Sequence, residues 1–347
     1  MTFRIENRNV GPGYPPFVIA ELSANHNGSL GRALRTIEMA KKAGAGAVKL
    51  QTYTADTMTI DSKRPDFLIT QGPWKGRTLY ELYRWAQTPF EWHQEIFEYA
   101  RGIGMPVFST PFDESAVDLL EELNTPAYKV ASFEATDLPL IRYIAATRKP
   151  MIISTGMANE REIREAVDAA RSGGCEDLLL MHCVSGYPTP VDQANLATIP
   201  DMERRFGCPI GLSDHTLGTL VASAAVALGV NVIEKHVTLS RKDKGPDSEF
   251  SLEPDELERL CCDAHSVWMA MGQVGYERKP IEEDSLIFRR SVYFVADVRA
   301  GERITAKHIR RIRPGFGLPP KDYDAILGKT ASKDIPRGTP ASWELVE

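Results

Sequence analysis

The sequence has few cysteines, no long apolar run and no block of like charge, and each shortage excludes a class of protein. The five cysteines are odd in number and form no C-x-x-C pair, so we interpret them as reduced packing residues rather than zinc or disulfide sites. A net charge of -6 without a run of one sign gives no reason to expect nucleic acid or a membrane as a partner. The N-terminus also lacks the apolar core of a secretory signal, so a cytoplasmic protein is expected.

The chain has 347 residues, of which 43% are hydrophobic, enough for one large domain or for a large domain and a small one. Eight short apolar runs recur, at residues 17–22, 47–51, 106–110, 127–131, 151–155, 178–183, 209–213 and 231–236. Segments of mostly helical pattern separate them. Eight alternations of strand and helix predict a closed (β/α)8 TIM barrel rather than an open doubly wound sheet.

Helical periodicity is clearest in four segments, at residues 30–43, 90–103, 159–172 and 254–271. The first ends at Gly44, which predicts a C-terminal cap. The aromatic-rich segment 53–89 is too long for a simple strand-to-helix loop, and we interpret it as a lid or wall on one face of the barrel. A packed surface excursion is the alternative interpretation of that segment.

Polar side chains stand at the carboxyl end of every predicted strand, where barrel enzymes build their active sites. They are Glu21, Lys49, Gln51, Ser109, Thr110, Lys129, Ser132, Ser154, Thr155, Cys183, Ser185, Asp214, His215, Glu234 and His236. Ordinary strand-to-loop transitions are also polar, which explains the serines and threonines. They do not explain two lysines, two glutamates and two histidines, so the pattern predicts a catalytic face.

The two histidines follow neighbouring predicted strands, in Gly211-Leu-Ser-Asp-His215 and Asn231-Val-Ile-Glu-Lys-His236. Because parallel neighbours are joined by a crossover helix, here residues 219–229, His215 and His236 should meet at one edge. As neutral imidazoles they would bind a divalent metal and leave coordination positions open, which favours a Lewis acid over a structural zinc. Mn²⁺, Mg²⁺ and Co²⁺ all fit such ligands.

Lys49 and Lys129 lie on non-adjacent strands, and a barrel interior can direct both at one point. Ringed by hydroxyls, two ammonium groups would hold a phosphate or a carboxylate. The hydroxyl candidates are Thr110, Ser132, Ser154, Ser185 and Ser213. Each lysine could instead be a Schiff-base nucleophile or a salt-bridge partner.

Three carboxylates, Glu21, Glu134 and Asp247, lie in or just beyond the strand ends. Carboxylates there can grip substrate hydroxyls or move a proton, and the spacing leaves the roles open.

After Gly272 a charged linker at residues 276–284 leads into short alternating runs rich in glycine and proline. This texture predicts a small second domain of short strands and turns. We expect a barrel domain at residues 1–272, a linker at 273–286 and the small domain at 287–347. A domain of this size has little core of its own, so it should dock against the barrel or a second subunit.

Motifs along nearly the whole chain resemble the sialic acid synthase family, in which a barrel that condenses phosphoenolpyruvate precedes a small antifreeze-like (SAF) domain. They are Ala20-Glu-Leu-Ser-Ala-Asn-His-Asn-Gly28, Val48-Lys-Leu-Gln-Thr52, Phe108-Ser-Thr-Pro-Phe112, Tyr128-Lys-Val-Ala-Ser132, Ser154-Thr-Gly-Met157, Gly211-Leu-Ser-Asp-His215, Glu234-Lys-His236 and Arg313-Pro-Gly315. Within the family the sequence is most similar to pseudaminic acid synthases, through Leu22-Ser-Ala-Asn25 and the segments 51–58, 79–83, 88–93 and 247–254. N-acetylneuraminate synthases usually carry Asn before the Tyr-Pro of the sixth strand end, where this chain has Gly186.

The resemblance implies a role for each candidate. Phosphoenolpyruvate would contact Lys49, Thr110, Lys129, Ser132, Ser154, Ser185 and Ser213. His215 and His236 would hold the metal. The amino sugar and the reacting water would contact Glu21, Gln51, Glu134, Tyr187 and Asp247. Arg313 would reach from the small domain into the other subunit's site, which implies a domain-swapped homodimer.

The implied reaction is a metal-dependent condensation of phosphoenolpyruvate with 2,4-diacetamido-2,4,6-trideoxy-L-altrose and water, giving pseudaminic acid and phosphate. A synthase of N-acetylneuraminate or legionaminate is the first alternative. A barrel aldolase that forms a Schiff base on Lys129 or Lys49 is a second. A carbohydrate-binding or ice-binding protein accounts only for the C-terminal module and leaves the polar strand ends unexplained.

Overall fold

The computed structural model describes residues 3–6, 8–72 and 74–347, and it divides the chain into two compact units, Met1–Gly272 and Gln273–Glu347. The first unit contains a closed barrel of eight parallel strands, which confirms the predicted fold. The barrel strands are β3 (Phe17–Glu21), β4 (Ala47–Thr52), β5 (Val107–Pro111), β6 (Tyr128–Val130), β7 (Met151–Ser154), β8 (Leu178–Cys183), β9 (Ile210–Ser213) and β10 (Val232–His236). Each pairs with the next in sequence, and β10 pairs with β3 to close the barrel.

Helices separate the strands and cover the barrel. They are α1 (Leu30–Lys42), α2 (Ala55–Met58), α3 (Leu79–Ala86), α4 (His93–Ile103), α5 (Glu114–Glu122), α6 (Leu138–Ala146), α7 (Glu160–Ser172), α8 (Thr198–Phe206), α9 (Leu220–Val226) and α10 (Pro254–Met271). The four predicted helical segments are confirmed to within a few residues. The second differs most, because residues Phe90–Trp92 form a 3-10 turn before α4 begins.

Period-two alternation along the strands divides the core into two parts. Outward-facing aliphatic residues such as Leu50, Val130 and Leu180 pack under the helices. Inward-facing residues at the start of the strands, among them Phe17 and Phe108, fill the lower barrel. The polar strand ends therefore lie above a packed apolar interior rather than around a pore.

A short antiparallel hairpin precedes the barrel, formed by β1 (Phe3–Ile5) and β2 (Arg8–Val10). The sequence analysis did not predict it, because three-residue strands carry almost no periodic signal. The side chains of Phe3, Ile5 and Val10 are buried in the same cluster as the lower barrel residues. The hairpin thus contributes to the apolar end of the barrel interior, opposite the strand ends that carry polar groups.

The second unit is a small fold with its own apolar core. Strands β11 (Ser291–Phe294) and β12 (Ile309–Ile312) pair antiparallel, and a short helix, α11 (Tyr323–Ile326), follows. Val292, Phe294, Ile309 and Ile326 are buried in the core of this unit. Across the described parts of both units, no helix is long and apolar enough to cross a membrane.

Candidate active site

A cavity of about 540 Å³ opens at the carboxyl end of the barrel. Residues at or just after all eight strand ends line it: Glu21, Lys49, Gln51, Phe112, Lys129, Ser132, Ser154, Cys183, Ser185, Ser213, His215, Glu234 and His236. The volume is within the range of small-molecule sites. The structure therefore brings the candidate residues of the barrel together at the end where barrel enzymes place their chemistry.

Four buried charges form the floor of this cavity. The Nζ atom of Lys49 lies 3.1 Å from Oε2 of Glu21 and 3.5 Å from Oε1 of Glu234. Lys129 approaches the same Glu234 oxygen at 3.7 Å. Two lysines and two carboxylates thus neutralise one another in a space almost closed to water, because all four side chains are at most 5% exposed.

The electrostatics of this cluster are uneven. Burial raises the pKa of Glu21 to about 7, although Lys49 opposes the shift. Burial acts in the same sense on Glu234, but the two lysines hold the pKa of Glu234 below its usual value. Burial also lowers the pKa of Lys129, and the attraction of Glu234 offsets this shift only in part. For Lys49 the attraction of Glu21 and Glu234 outweighs burial, so its pKa is raised. Glu21 is therefore the member that changes protonation near neutral pH.

Hydroxyl groups surround the charged floor. The Oγ atoms of Ser132 and Ser185 lie 2.8 Å apart, and Oγ of Ser154 is buried without a hydrogen-bond partner among the described residues. Gly156 lies against the serine pair, where a Cβ atom would fall 2.3 Å from Cβ of Ser132 and 2.7 Å from Oγ of Ser185. A buried hydroxyl without a partner is costly, so Ser154 is suited to donate to a ligand oxygen.

Thr110 and Ser213 support this floor. The hydroxyl of Thr110 accepts a hydrogen bond from Nζ of Lys49 at 3.0 Å, but Thr110 is not among the residues that line the cavity. Ser213 donates to Oε1 of Glu234 at 3.3 Å. Thr110 therefore acts on the cavity through Lys49.

The two histidines meet as the strand order predicts, with ring centroids 5.4 Å apart. Nδ1–H of His215 donates to the carbonyl of Val184 at 3.0 Å, which leaves its Nε2 lone pair available. Burial lowers the pKa of His215 to about 4 and that of His236 well below its usual value, so both rings are neutral.

These imidazoles fit a divalent metal in their protonation state and in their unmet bonding capacity. Within the described ranges, Nδ1 of His236 is buried without a hydrogen-bond partner, and Oδ2 of Asp247 is 3.7 Å away. Among the described residues, no group of three His, Cys, Asp or Glu side chains has the arrangement of a metal site. Two imidazoles would leave coordination positions for water and for a substrate oxygen, as a catalytic ion requires.

Aromatic rings enclose the histidines. The ring of Tyr187 packs against His215 at an interplanar angle of 53°, with 4.4 Å between ring centroids, and contacts Phe250 at 5.3 Å. Trp74, from the segment 53–89, packs against Tyr187 and donates through Nε1 to the carbonyl of Pro246 at 3.1 Å. The predicted lid segment thus reaches the loop that carries Asp247.

A second polar group of residues lies between β3 and that loop. Gln51 donates through Nε2 to Oε1 of Glu21 and to the hydroxyl of Ser23, both at 2.9 Å. Ser23 in turn donates to Asp247, a buried carboxylate whose pKa burial raises. The hydroxyl of Ser23 thus holds Asp247 on the cavity wall.

The remaining wall is largely apolar and comes from the segment 53–89. Met58, Ile69, Leu79 and Leu82 line it, and Glu134 lies among the residues on the barrel side. Burial raises the pKa of Glu134 to about 7, and its Oε2 is buried with no hydrogen-bond partner in the part of the chain that the structure describes. The cavity therefore combines a charged floor, an apolar wall and two carboxyl groups that titrate near neutral pH, Glu21 and Glu134.

Some residues in this cavity had no predicted role. Glu234 was predicted only to lie on the catalytic face, and the structure shows that it contacts both lysines. Cys183, interpreted as a packing residue, lines the cavity, as do Ser23 and Tyr53. Arg313 lies exposed in the second unit, after β12. The roles assigned to the individual site residues stay predictions.

Comparison with known proteins gives a consistent assignment for both units. The model of the NeuB family matches residues 36–276, and that of the SAF domain matches residues 289–347. A pseudaminic acid synthase of Campylobacter jejuni is 44% identical over 325 residues, which are 93% of this chain and 94% of that protein. A pseudaminic acid synthase of Helicobacter pylori is 42% identical over 337 residues, covering 96% and 98%.

Solved structures agree with the sequence comparison. A crystal structure of N-acetylneuraminic acid synthetase from Leptospira borgpetersenii, in complex with citrate, superposes with a TM-score of 0.74 at 30% identity. The match covers 82% of this chain and 95% of that one.

Proposed function

The chain belongs to the NeuB family, and from this premise we propose that it is a pseudaminic acid synthase. The proposed reaction joins phosphoenolpyruvate to 2,4-diacetamido-2,4,6-trideoxy-L-altrose and water, and it releases inorganic phosphate. The observation that carries the proposal is one cavity in which two buried lysines lie beside two neutral histidines. The lysines suit an anionic nucleophile, and the histidines suit a metal that activates an aldehyde.

In the proposed reaction C3 of phosphoenolpyruvate attacks the aldehyde carbon of the open-chain sugar. Water then adds to C2, which carries the positive charge that the lost double bond leaves. The resulting tetrahedral centre expels phosphate by cleavage of its C–O bond. Nearly all of the catalysis is therefore positioning and electrostatic stabilisation.

Lys49 and Lys129 would hold the phosphate and carboxylate of phosphoenolpyruvate, with hydroxyls from Ser132, Ser154 and Ser185. In the unliganded protein Glu21 and Glu234 already neutralise both lysines. A bound anion brings more negative charge to this cluster, so Glu21, with a pKa of about 7, would take up a proton. The floor can thus accept an anion without leaving unpaired negative charge.

His215 and His236 would hold the divalent ion, for which Mn²⁺, Mg²⁺ and Co²⁺ are the candidates. When bound, the ion would supply Lewis acidity toward the sugar carbonyl. The protein's own contribution is to keep both imidazoles neutral and to orient His215 through the Val184 carbonyl. The sugar would be positioned beside the ion by Gln51, Tyr187 and Asp247.

Glu134 is the group we assign to proton transfer from the attacking water. Its carboxyl is nearly buried, its Oε2 lacks a hydrogen-bond partner among the described residues, and its pKa of about 7 matches a general base near neutral pH. Glu21, once protonated on anion binding, would act in the opposite sense and donate its proton to the sugar alkoxide.

The apolar wall supports a methyl-bearing substrate. A 6-deoxy sugar with two acetamido groups presents three methyl groups, and Met58, Ile69, Leu79 and Leu82 offer a surface for them. N-acetylneuraminate and legionaminate precursors would compete for the same cavity. We rank them second because the two relatives reported above are named for pseudaminic acid.

The test of this proposal is release of inorganic phosphate, measured with phosphoenolpyruvate, a panel of N-acetylated amino sugars and each divalent ion. We expect release that requires all three components and is fastest with 2,4-diacetamido-2,4,6-trideoxy-L-altrose. No release with any sugar would overturn the proposal, and a faster reaction with N-acetylmannosamine would change the substrate.

The lowered pKa of Lys129 keeps a Schiff-base aldolase as the second candidate. Borohydride reduction in the presence of pyruvate separates the two reactions. The synthase predicts no covalent adduct and loss of turnover in EDTA. A reduced pyruvyl adduct on Lys129 or Lys49 would instead favour the aldolase.

We further propose a cytoplasmic, domain-swapped homodimer in which Arg313 completes the partner's site. R313A and K129M are each expected to be nearly inactive alone. After subunit exchange, a mixture of the two variants should regain activity. One site of each heterodimer then combines an intact Lys129 with an intact Arg313 from the other subunit. Absence of recovery in a confirmed heterodimer would contradict the swap.

A further inference from the structure

Asp214 and Lys235 immediately precede the two histidines and face the other way. Ser213 and Glu234 are opposite each other in the β9–β10 register, and the amide of Asp214 continues that ladder to the Glu234 carbonyl at 3.0 Å. Alternation then directs Asp214 and Lys235 outward, where Nζ of Lys235 lies 2.9 Å from Oδ2 of Asp214. Their side chains are 3% and 0% exposed.

The ion pair also fixes the turn that carries His215. Oδ1 of Asp214 accepts from the amide of Thr216 at 2.9 Å, and Oδ2 accepts from the Thr216 hydroxyl at 3.1 Å. Lys235 donates to the Thr216 carbonyl as well. His215 lies in the middle of this turn, and its own carbonyl accepts from Thr189 at 3.0 Å.

Stability is a poor explanation for a charge pair at this place. The next outward positions on the same strands are Leu212 and Ile233, both part of the aliphatic shell under the helices. A buried ion pair in such surroundings generally stabilises a fold no better than a packed apolar pair would. It does impose one distance and one orientation on its two strands, which apolar packing does not.

We propose that the Lys235–Asp214 ion pair is a positioning device that sets the spacing of His215 and His236 for a divalent cation. The proposal rests on the metal role given to these histidines under the proposed function. Neither Lys235 nor Asp214 is among the described residues that line the active-site cavity, so both act through the backbone of the residue that follows them. The spacing of the imidazoles is what the pair controls.

The test uses the full-length double variant K235M/D214N, which keeps the side-chain shapes and removes both charges. The carboxamide that D214N introduces can still accept from the Thr216 amide and can donate to the carbonyl that Lys235 leaves. Binding of Mn²⁺ alone is measured by calorimetry and by electron paramagnetic resonance. We expect the Mn²⁺ dissociation constant to rise roughly 10- to 100-fold, as for other changes behind a metal ligand.

Two comparisons separate positioning from general damage. Phosphoenolpyruvate binding, measured in EDTA, should change much less than Mn²⁺ affinity, because Lys49 and Lys129 lie on other strands. I144A removes a fully buried side chain from α6, away from the histidines, and should lower the melting temperature while Mn²⁺ affinity stays at the wild-type value.

Each outcome decides a different point. Unchanged Mn²⁺ affinity in the folded double variant would overturn the positioning role, and so would an equal loss in I144A. No Mn²⁺ binding by the wild-type protein would overturn the metal role itself. If the double variant does not fold, D214N alone, which keeps an oxygen for the Thr216 amide but loses the ion pair with Lys235, is held to the same comparison with I144A.

Discussion

The floor and the apolar wall of the cavity are built in different ways. The floor consists of side chains on barrel strands, where hydrogen-bonded register fixes Lys49, Lys129 and Glu234 relative to one another. The wall comes from the segment 53–89, whose described residues form the short helices α2 and α3, a 3-10 turn and an isolated β-bridge between Leu68 and Thr78. A charged group loses much of its catalytic effect when it is displaced by about 1 Å, whereas apolar contacts tolerate small shifts. We therefore expect the chemistry on the strand-borne floor and the substrate fit on the wall.

The largest effect in this comparison is expected when the two histidines beside the floor are removed. H215A/H236A should lower kcat/KM by about 10³-fold or more, since the charge stabilisation supplied by the ion is lost. Metal uptake should disappear while circular dichroism shows an intact barrel. Activity close to wild type would exclude a catalytic role for the pair.

A lysine of the floor comes next. K129M should lower kcat/KM for phosphoenolpyruvate by about 10²-fold, because a charge that faces the anion is removed. K149M is the matched control, since Lys149 pairs with Glu121 outside the cavity. Steady-state kinetics should show no change in the control, and an equal loss in both variants would contradict the special role of Lys129.

The wall should respond more weakly and only toward the sugar. M58Q replaces an apolar side chain of the wall by a polar one of similar length, and kcat/KM for the 6-deoxy sugar should fall roughly tenfold. The KM for phosphoenolpyruvate should not change. I60Q, at a position 63% exposed, is the control. A larger change in the kinetic constants for phosphoenolpyruvate than in those for the sugar would contradict the distinction between floor and wall.

The smallest effect concerns Glu134, between the two regions. Burial raises its pKa from 4.5 to about 7, so the folded protein holds this proton more tightly than the unfolded chain. Its stabilising contribution is complete below about pH 4.5 and is lost as the pH rises through about 7. The melting temperature of wild type should therefore fall more than that of E134Q between about pH 5 and about pH 8, by about 2 °C. Equal changes of melting temperature with pH in wild type and E134Q would contradict the raised pKa of Glu134.

The fold was accessible from the sequence because strand and helix periods alternate eight times and polar residues follow each strand. The same pattern predicted the cavity residues from Glu21 to His236. What it could not assign depends on contacts across the barrel. Glu234, predicted at the catalytic face without a role of its own, lies between lysines of two other strands, and Thr110 contacts Lys49 rather than the cavity. The β1–β2 hairpin was missed because its strands are too short to show a period.

The missing side chain at Gly156 restricts how this chain can diverge. Even one methyl group there would strike Ser132 and Ser185 together. Relatives that acquire a new sugar substrate are therefore expected to vary along the segment 53–89 while position 156 stays glycine. Directed evolution of the enzyme has most freedom in that segment and least beside the serine pair.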